Sequence, residues 1–480
     1  MAPMLGDIGS ELRVLLRLAL PGAANAYLTR VSDYWTLAFV GHLDPSKSHY
    51  DAVVMSTIHT NITFTAIVSG ICGGLGTFCA QAKGAGVAHK NGVHFRRCGV
   101  IMLGVLCFSF LAALLAEQIL VAVGQPAVVA RDTAIYARVT MLSMPFETLS
   151  AMLNAAIASQ GMPEVGLYGT MASAPVQVFL AWGFVSLFGY LGLGMAKIAK
   201  SVLRLAVVLL FAHRRGLQPV VWRLRQEDEA SVNCSGVLVF SRVAVPSLGI
   251  TWFEWASFEL LSFIVGRTAN ATVNIGAFGT LFTNTAVFYM TFTAIGSAVS
   301  TRVGHLVGSR QTRGARLAVS VALTFTTALG VSVSLAMYIF RWELCRMFSS
   351  DPDIVQAAVR GMLGVSLTIP SYAVMMASYG ASRGSGRQRV AAASTIVGYW
   401  AVGLPLAYVL GPAGGMPENP VLGVWLGNAS AVSFSGAATL LALCCATDWA
   451  SLRPVRGVEQ EESSRELSDR LQHTQEEQER

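Results

Sequence analysis

Apolar runs of about 20 residues recur from one end of this chain to the other, and that pattern excludes most folds. A helix of that length matches the hydrocarbon thickness of a bilayer. Composition agrees, with 53% hydrophobic and only 13% charged residues, against about a quarter charged in soluble domains. The chain therefore reads as an all-α, polytopic membrane protein. Spans fall near 14–40, 52–80, 97–123, 133–156, 165–189 and 193–213, then 237–265, 270–298, 317–340, 355–380, 390–411 and 420–446, twelve helices in all.

Basic residues sit mainly between these runs. Lys83, Lys90, Arg96 and Arg97 follow the second span, and Arg214, Arg215, Arg223 and Arg225 the sixth. Arg302, Arg310, Arg313 and Arg316 follow the eighth, and Arg383, Arg387 and Arg389 the tenth. The other connections carry fewer, chiefly Lys47, Arg131, Arg267, Arg341 and Arg346. Because cytoplasmic loops collect Lys and Arg, both termini are expected in the cytoplasm. The net charge of +7 then reflects topology, not a nucleic-acid surface. The expected organisation is a cytoplasmic N-terminus (1–13), an N-lobe (14–213), a cytoplasmic linker (214–236), a C-lobe (237–446) and a charged cytoplasmic tail (447–480), disordered or a solvated helix.

The two-lobe division comes from an internal repeat. Arg17-Leu-Ala19-Leu-Pro21 pairs with Arg242-Val-Ala244-Val-Pro246, and Leu-Ser-Met-Pro145 with Leu-Thr-Ile-Pro370, both at an offset of 225 (246 − 21 and 370 − 145). Gly161 pairs with Gly386 at the same offset, and the region of Gly76, Thr77 and Gly84 pairs with Gly296, Ser297 and Gly304 at 220. Six helices per half give a parallel, pseudo-symmetric repeat about the membrane normal, an architecture common in transporters.

Carboxylates stand out against this background. Residues 246–265, PSLGITWFEWASFELLSFIV, carry Glu254 and Glu259 near their middle. An ionisable group at membrane depth costs roughly 3 kcal/mol or more, so it marks a cavity, a partner or a proton path; the alternative is a protonated glutamate pinned between helices. At about 100° per residue the two lie about 140° apart around the helix, so they require separate roles, substrate or proton site for one and second proton site or pin for the other. Trp255, Phe253 and Phe258 offer aromatic faces for an organic cation, or else packing surface. In the N-lobe, Asp33 and Glu147 are the acids to weigh, with Arg30 a basic neighbour of Asp33. By the repeat, Glu147 falls opposite Tyr372. Lys197, Lys200 and Arg204 either snorkel or pair with these acids.

Several motifs resemble the multidrug and toxin extrusion (MATE) transporters, closer to their eukaryotic members, over residues 10–447. They are Gly41-His42-Leu43, Gln81-Ala-Lys-Gly84-Ala-Gly86, and Pro246 followed by Phe253-Glu254-Trp255 and Phe258-Glu259. Others are Ser300-Thr-Arg302-Val303-Gly304, Arg383-Gly384-Ser385-Gly386-Arg387-Gln388, Gly398-Tyr399-Trp400 with Gly403-Leu404-Pro405-Leu406, and Gly423-Val-Trp425-Leu-Gly427. The resemblance implies an antiporter whose lobes rock around a central cavity and export small organic cations or xenobiotics against protons, with sodium as the alternative coupling ion. It carries Glu254 and Glu259 over directly and adds Asn61 and Gln81 as cavity-lining candidates. It also sets Thr283 or Asn284, and Tyr372, where relatives hold further acids, and Thr36 where bacterial relatives hold an aspartate, with Asp33 one turn earlier.

Other chemistries lack their motifs. No GxxxxGK[ST] loop is present, so ATP hydrolysis is not expected. The eight histidines and eight cysteines show no zinc spacing. No enzyme activity, metal or cofactor is expected, and the partners are the organic cation and the lipid bilayer, with the chain a monomer. The membrane is the plasma membrane or that of a vacuole-like organelle. A lipid or lipid-linked sugar flippase of the same superfamily is the alternative function.

Overall fold

The twelve spans appear as twelve long helical rods among the described residues of a computed structural model, which are 2–44, 46–223, 232–461 and 463. We number them α1 (Ala2–Leu43), α2 (Ser48–Gly84), α3 (Asn91–Leu114), α4 (Ala127–Thr140 and Met144–Ser159, joined by a 3-10 turn at Met141–Ser143), α5 (Glu164–Phe188) and α6 (Tyr190–Arg214). The second half comprises α7 (Cys234–Val265), α8 (Ala271–Gly308), α9 (Thr312–Ile339), α10 (Pro352–Gly384), α11 (Gln388–Leu410) and α12 (Pro420–Cys445). Eight of them are long and apolar enough to cross a membrane by length and composition. The four others are α1, α4, α6 and α8, the first three of which carry Asp33, Glu147, Lys197, Lys200 and Arg204. Polar load that makes a helix fail an apolarity test is the same load that marks a working surface.

α1 begins at Ala2, so residues expected as a separate N-terminal segment continue the first helix. Within each half the rods pack on one another, and the halves meet chiefly through α2 against α7 and α8, and α1 against α8. The contact is close backbone packing. A Cβ on Gly84 would collide with the His305 carbonyl, and one on Gly308 with the Gln81 carbonyl. Only glycine permits that approach. We expect Gly308→Val to force the lobes apart here, read as a thermal unfolding temperature several degrees lower in detergent; an unchanged temperature would count against the packing argument.

Polar ties reinforce this end. Arg302 holds Glu11 through Nε (2.6 Å) and Nη2 (2.8 Å). Gln81 Nε2 donates to the Gly384 carbonyl (2.8 Å), Gln388 Nε2 to Thr77 Oγ1 (2.9 Å), and Thr77 Oγ1 to the Arg383 carbonyl (3.1 Å). The segment after α12 joins the same seam. Val455 N–H donates to Gln81 Oε1 (2.7 Å), Val458 is fully buried, and Glu461 Oε2 lies 3.3 Å from His94 Nε2. Residues 455–461 are thus docked, not a solvated tail; 462 and 464–480 lie outside the described residues. None of the interlobe hydrogen bonds among the described residues involves residues 32–60, so the cleft is tied at the termini-bearing end and untied at the other.

At that other end a staple closes the N-lobe on itself. Asp44 accepts from Ser46 N–H (3.0 Å), Tyr190 N–H (2.8 Å) and His49 Nδ1 (2.8 Å), and the His49 ring stacks on Tyr190. Burial opposes ionisation of Asp44, but the hydrogen bonds from Ser46, His49 and Tyr190 outweigh it and hold the carboxyl below its usual range. A lowered folded-state value means stability that is complete above the unfolded carboxylate range, near 4, and is lost as pH falls through the folded value. Asp44→Ala is expected to cost about 2 kcal/mol, visible as a lower unfolding temperature at pH 7 whose deficit shrinks below about pH 4; a deficit independent of pH would contradict the account.

Candidate functional site

α7 carries the centre of the C-lobe site. Pro246 lies inside this helix, where it removes one backbone donor and breaks the regular ladder about two turns before Glu254 and about three and a half before Glu259. Glu254 is 5% exposed and accepts a hydrogen bond from the Tyr372 hydroxyl of α10 (3.0 Å). Tyr372 in turn stacks flat on Tyr289 of α8, with centroids 3.7 Å apart, and lies 3.4 Å from Thr293 Oγ1. The Tyr289 hydroxyl and the Asn428 side chain are buried facing each other, without a well-formed hydrogen bond. A buried amide and hydroxyl left unspent cost roughly 1–3 kcal/mol each, so such groups collect where a ligand or water will satisfy them. Arg383 sits within electrostatic reach of Glu254, donates through Nη2 to Thr251 Oγ1 (3.1 Å) and keeps its buried Nε unpaired.

Glu259 lies elsewhere. It faces the Asn61 side chain of the N-lobe, across the lobe boundary. Asn61 opens the π-helical turn Asn61–Thr65 that interrupts α2, and a second π segment, Ile396–Gly403, interrupts α11. Such turns widen the helix by one residue and are common at functional sites. The second one carries buried Tyr399 and Trp400, whose Nε1 donates to the Phe253 carbonyl (3.0 Å). Trp252 stacks on Trp400 (6.3 Å) and donates to the Ile62 carbonyl (3.0 Å), so an aromatic wall of Trp252, Phe253 and Trp400 bridges the lobes beside the two glutamates.

The N-lobe acids are paired. Lys200 Nζ lies 2.9 Å from Asp33 Oδ1, and Lys197 Nζ 3.5 Å from Glu147 Oε1. Glu147 also accepts from Ser143 (2.8 Å) and Ser201 (3.2 Å). Arg30, the expected neighbour of Asp33, instead lies over the Tyr34 ring. Arg30 meets the ring one turn on, while α6 delivers Lys200 directly to Asp33.

Other expected residues land away from these centres. Trp255 is exposed and makes no ring contact among the described residues; one step of about 100° takes it off the face that buries Glu254, and Trp252 takes the expected place. Gln81 is buried in the seam, where its amide joins the Gly384 carbonyl to Val455 N–H. Thr283 bonds its own helix at Gly279, and Asn284 bonds Thr280 and Leu344, so neither reaches Glu254; Thr293, three turns on, is the α8 residue at Tyr372. Tyr289, Thr293, Arg383, Tyr399 and Asn428 were not singled out, although three of them sit in or beside the 383–388, 398–406 and 423–427 motifs.

Comparison with known proteins agrees with this architecture. A family model described as MatE matches residues 23–183 and 246–409. The two matches begin 223 residues apart (246 − 23), close to the repeat offset. Multidrug and toxin extrusion protein 1 of Xenopus tropicalis is 28% identical over 443 residues, covering 88% of this chain and 72% of that protein. Protein DETOXIFICATION 14 of Arabidopsis thaliana is 27% identical over 398 residues, covering 82% and 79%. Among solved structures, the eukaryotic MATE transporter AtDTX14 aligns with a TM-score of 0.85 at 23% identity, covering 95% of this chain and all of that one.

Proposed function

Since this chain belongs to the multidrug and toxin extrusion family, and so is a multi-pass membrane transporter and not an enzyme, we propose that it exchanges small organic cations or xenobiotics for protons through the C-lobe site. The observation that carries this reading is Glu254, a buried carboxyl whose single side-chain hydrogen bond comes from Tyr372 and which has no ion-pair partner within 4 Å among the described residues. Such a group is comfortable protonated, or facing a cation, and is costly in neither state only if the two alternate. The aromatic wall beside it suits an organic cation. Glu259, reached from the N-lobe by Asn61, is placed to register lobe separation while Glu254 stays within one lobe. Taking the termini as cytoplasmic, we read the untied side of the cleft as the exit, outward or into an organelle.

The test is uptake of radiolabelled tetraethylammonium into proteoliposomes under an imposed pH gradient or, separately, a sodium gradient. Uptake driven by pH alone is expected; Glu259→Gln should lower it at least about tenfold. Uptake driven by sodium alone would replace the proton with sodium, and absence of any gradient-driven uptake would favour the flippase.

A further inference from the structure

The outer side of the N-lobe carries a groove that takes no part in the transport path. Pro145 stands at the start of the second piece of α4, where its missing N–H suits a helix beginning and ends the ladder of the first piece, and a 3-10 turn at Met141–Ser143 joins the two. Opposite, Gly99 of α3 presents no side chain, and a Cβ there would meet only Met152 Cε, at 3.8 Å. Leu209 of α6 supplies the third wall. The space enclosed between α3, α4 and α6 has a volume of about 580 Å³, within the range of small-ligand sites. Its walls are apolar apart from Thr148, and Val100 and Leu103 are 50% and 64% exposed, so the groove opens sideways into hydrocarbon.

Its mouth has a different chemistry. The chain after α6 folds back on the start of α3: Asn91 Nδ2 donates to the Val220 carbonyl (2.8 Å), and Leu217 and Val221 are buried. That anchoring brings Trp222 into the same groove as Arg96. Arg97, one residue on, is buried with Glu461 in electrostatic reach. Arg96 is exposed, and its guanidinium makes no hydrogen bond or ion pair among the described residues. The Trp222 indole N–H is equally unspent, and so is the guanidinium of Arg223, the next residue. The plain outer face of a helix is covered by any lipid and selects none. A groove with three walls, apolar along its length and ending in unpaired guanidinium and indole donors, fits an acyl chain joined to a phosphate. Its mouth lies at the termini-bearing end, because α3 starts where α2 ends in the Gly84–His305 seam. With the termini taken as cytoplasmic, that is the leaflet in which anionic lipids gather, and tryptophan is at home at its headgroup level.

We propose that this groove binds one anionic phospholipid of the cytoplasmic leaflet, with an acyl chain lying along α3 past Gly99 and the phosphate held by Arg96 and the Trp222 N–H. The lipid joins α3 to the start of the interlobe linker and stays outside the transport path. The site is independent of what the C-lobe carboxyls carry.

Native mass spectrometry of the purified full-length protein in detergent, titrated separately with dioleoylphosphatidylserine and dioleoylphosphatidylcholine, gives the affinity for the first bound lipid. The chains of the two lipids are identical and only the headgroup charge differs. The wild type is expected to bind phosphatidylserine at least about tenfold more tightly, about 1.4 kcal/mol. Arg96→Gln should bring phosphatidylserine within about twofold of phosphatidylcholine and leave phosphatidylcholine unchanged, while Arg96→Lys keeps most of the preference. Trp222→Phe retains a ring and loses the donor, and should weaken phosphatidylserine about threefold. Gly99→Leu fills the groove and should weaken both lipids about tenfold, with the unfolding temperature of the lipid-free protein unchanged because the space beside Gly99 is open. Arg96 is exposed and unpaired, so its variant folds whatever Gly99→Leu does. A wild type without preference, or a preference that survives Arg96→Gln, means an ordinary covering lipid and overturns the headgroup site. Unchanged binding of both lipids in a folded Gly99→Leu protein overturns the groove as the place where the chain lies.

Discussion

Glu254→Gln is expected to reduce gradient-driven cation uptake to below about 1% of wild type, with protein abundance and thermal unfolding unchanged. Glutamine keeps the size of the side chain and still accepts from the Tyr372 hydroxyl through its carbonyl, so the fold loses little. It loses the charge, and a charge-assisted contact worth about 3 kcal/mol is about a hundredfold in rate or affinity. Tyr372→Phe removes only the hydrogen bond and should cost about 1 kcal/mol, about fivefold. The order of the two effects is the discriminating result. If Tyr372→Phe is the more damaging change, Glu254 is a pin held between helices and the exchange chemistry lies elsewhere.

The second large effect concerns stability, and its asymmetry is what matters. Lys200 is 10% exposed in its side chain, and Asp33 is 48% exposed. Asp33→Asn therefore leaves the more buried partner charged, with only the more distant Glu147 to oppose it, a loss of up to about 3 kcal/mol by the general cost of an unpaired buried charge. Lys200→Gln strands an acid that water already reaches, and should cost below about 1 kcal/mol. The double change should be milder than Asp33→Asn. Thermal unfolding in detergent, followed by tryptophan fluorescence, measures all three. Equal losses for the two single changes would mean that exposure does not control the energetics of this pair.

Much of the architecture was legible because a bilayer leaves few choices. Without water, backbone groups must bond within a segment, so apolar length alone marks helices, and each span placed from sequence falls mainly on one helical rod, although 97–123 runs past the end of α3 at Leu114 into a separate short helix, Ala116–Ala122. The acids were legible for the same reason, scarcity at membrane depth. Their partners were not. Asp33 and Lys200 are 167 residues apart, and nothing local distinguishes that lysine from Arg30. Rotation about a helix was the second blind spot: Trp255 and Trp252 are three residues apart, yet one is exposed and the other stacks beside the glutamates. The π turns at Asn61–Thr65 and Ile396–Gly403 leave no signature in composition. Tyr289 and Asn428 look like ordinary polar interruptions of apolar runs until the fold sets them face to face in the buried site. The motif at 383–388 was visible, but its role is to fasten the lobes through Gly384, Arg383 and Gln388, with only the Arg383 guanidinium turned toward the site.

The segment at 455–461 hangs by Val455 from Gln81, which itself hangs from Gly384 of the other lobe. Parting α2 from α10 breaks one of these bonds and strains the other, so the segment rides on the seam like the slider of a zip. A fluorescent label after Ser463 would therefore track lobe separation without touching a residue of the transport path, and a bulky fusion attached there would load the moving joint directly.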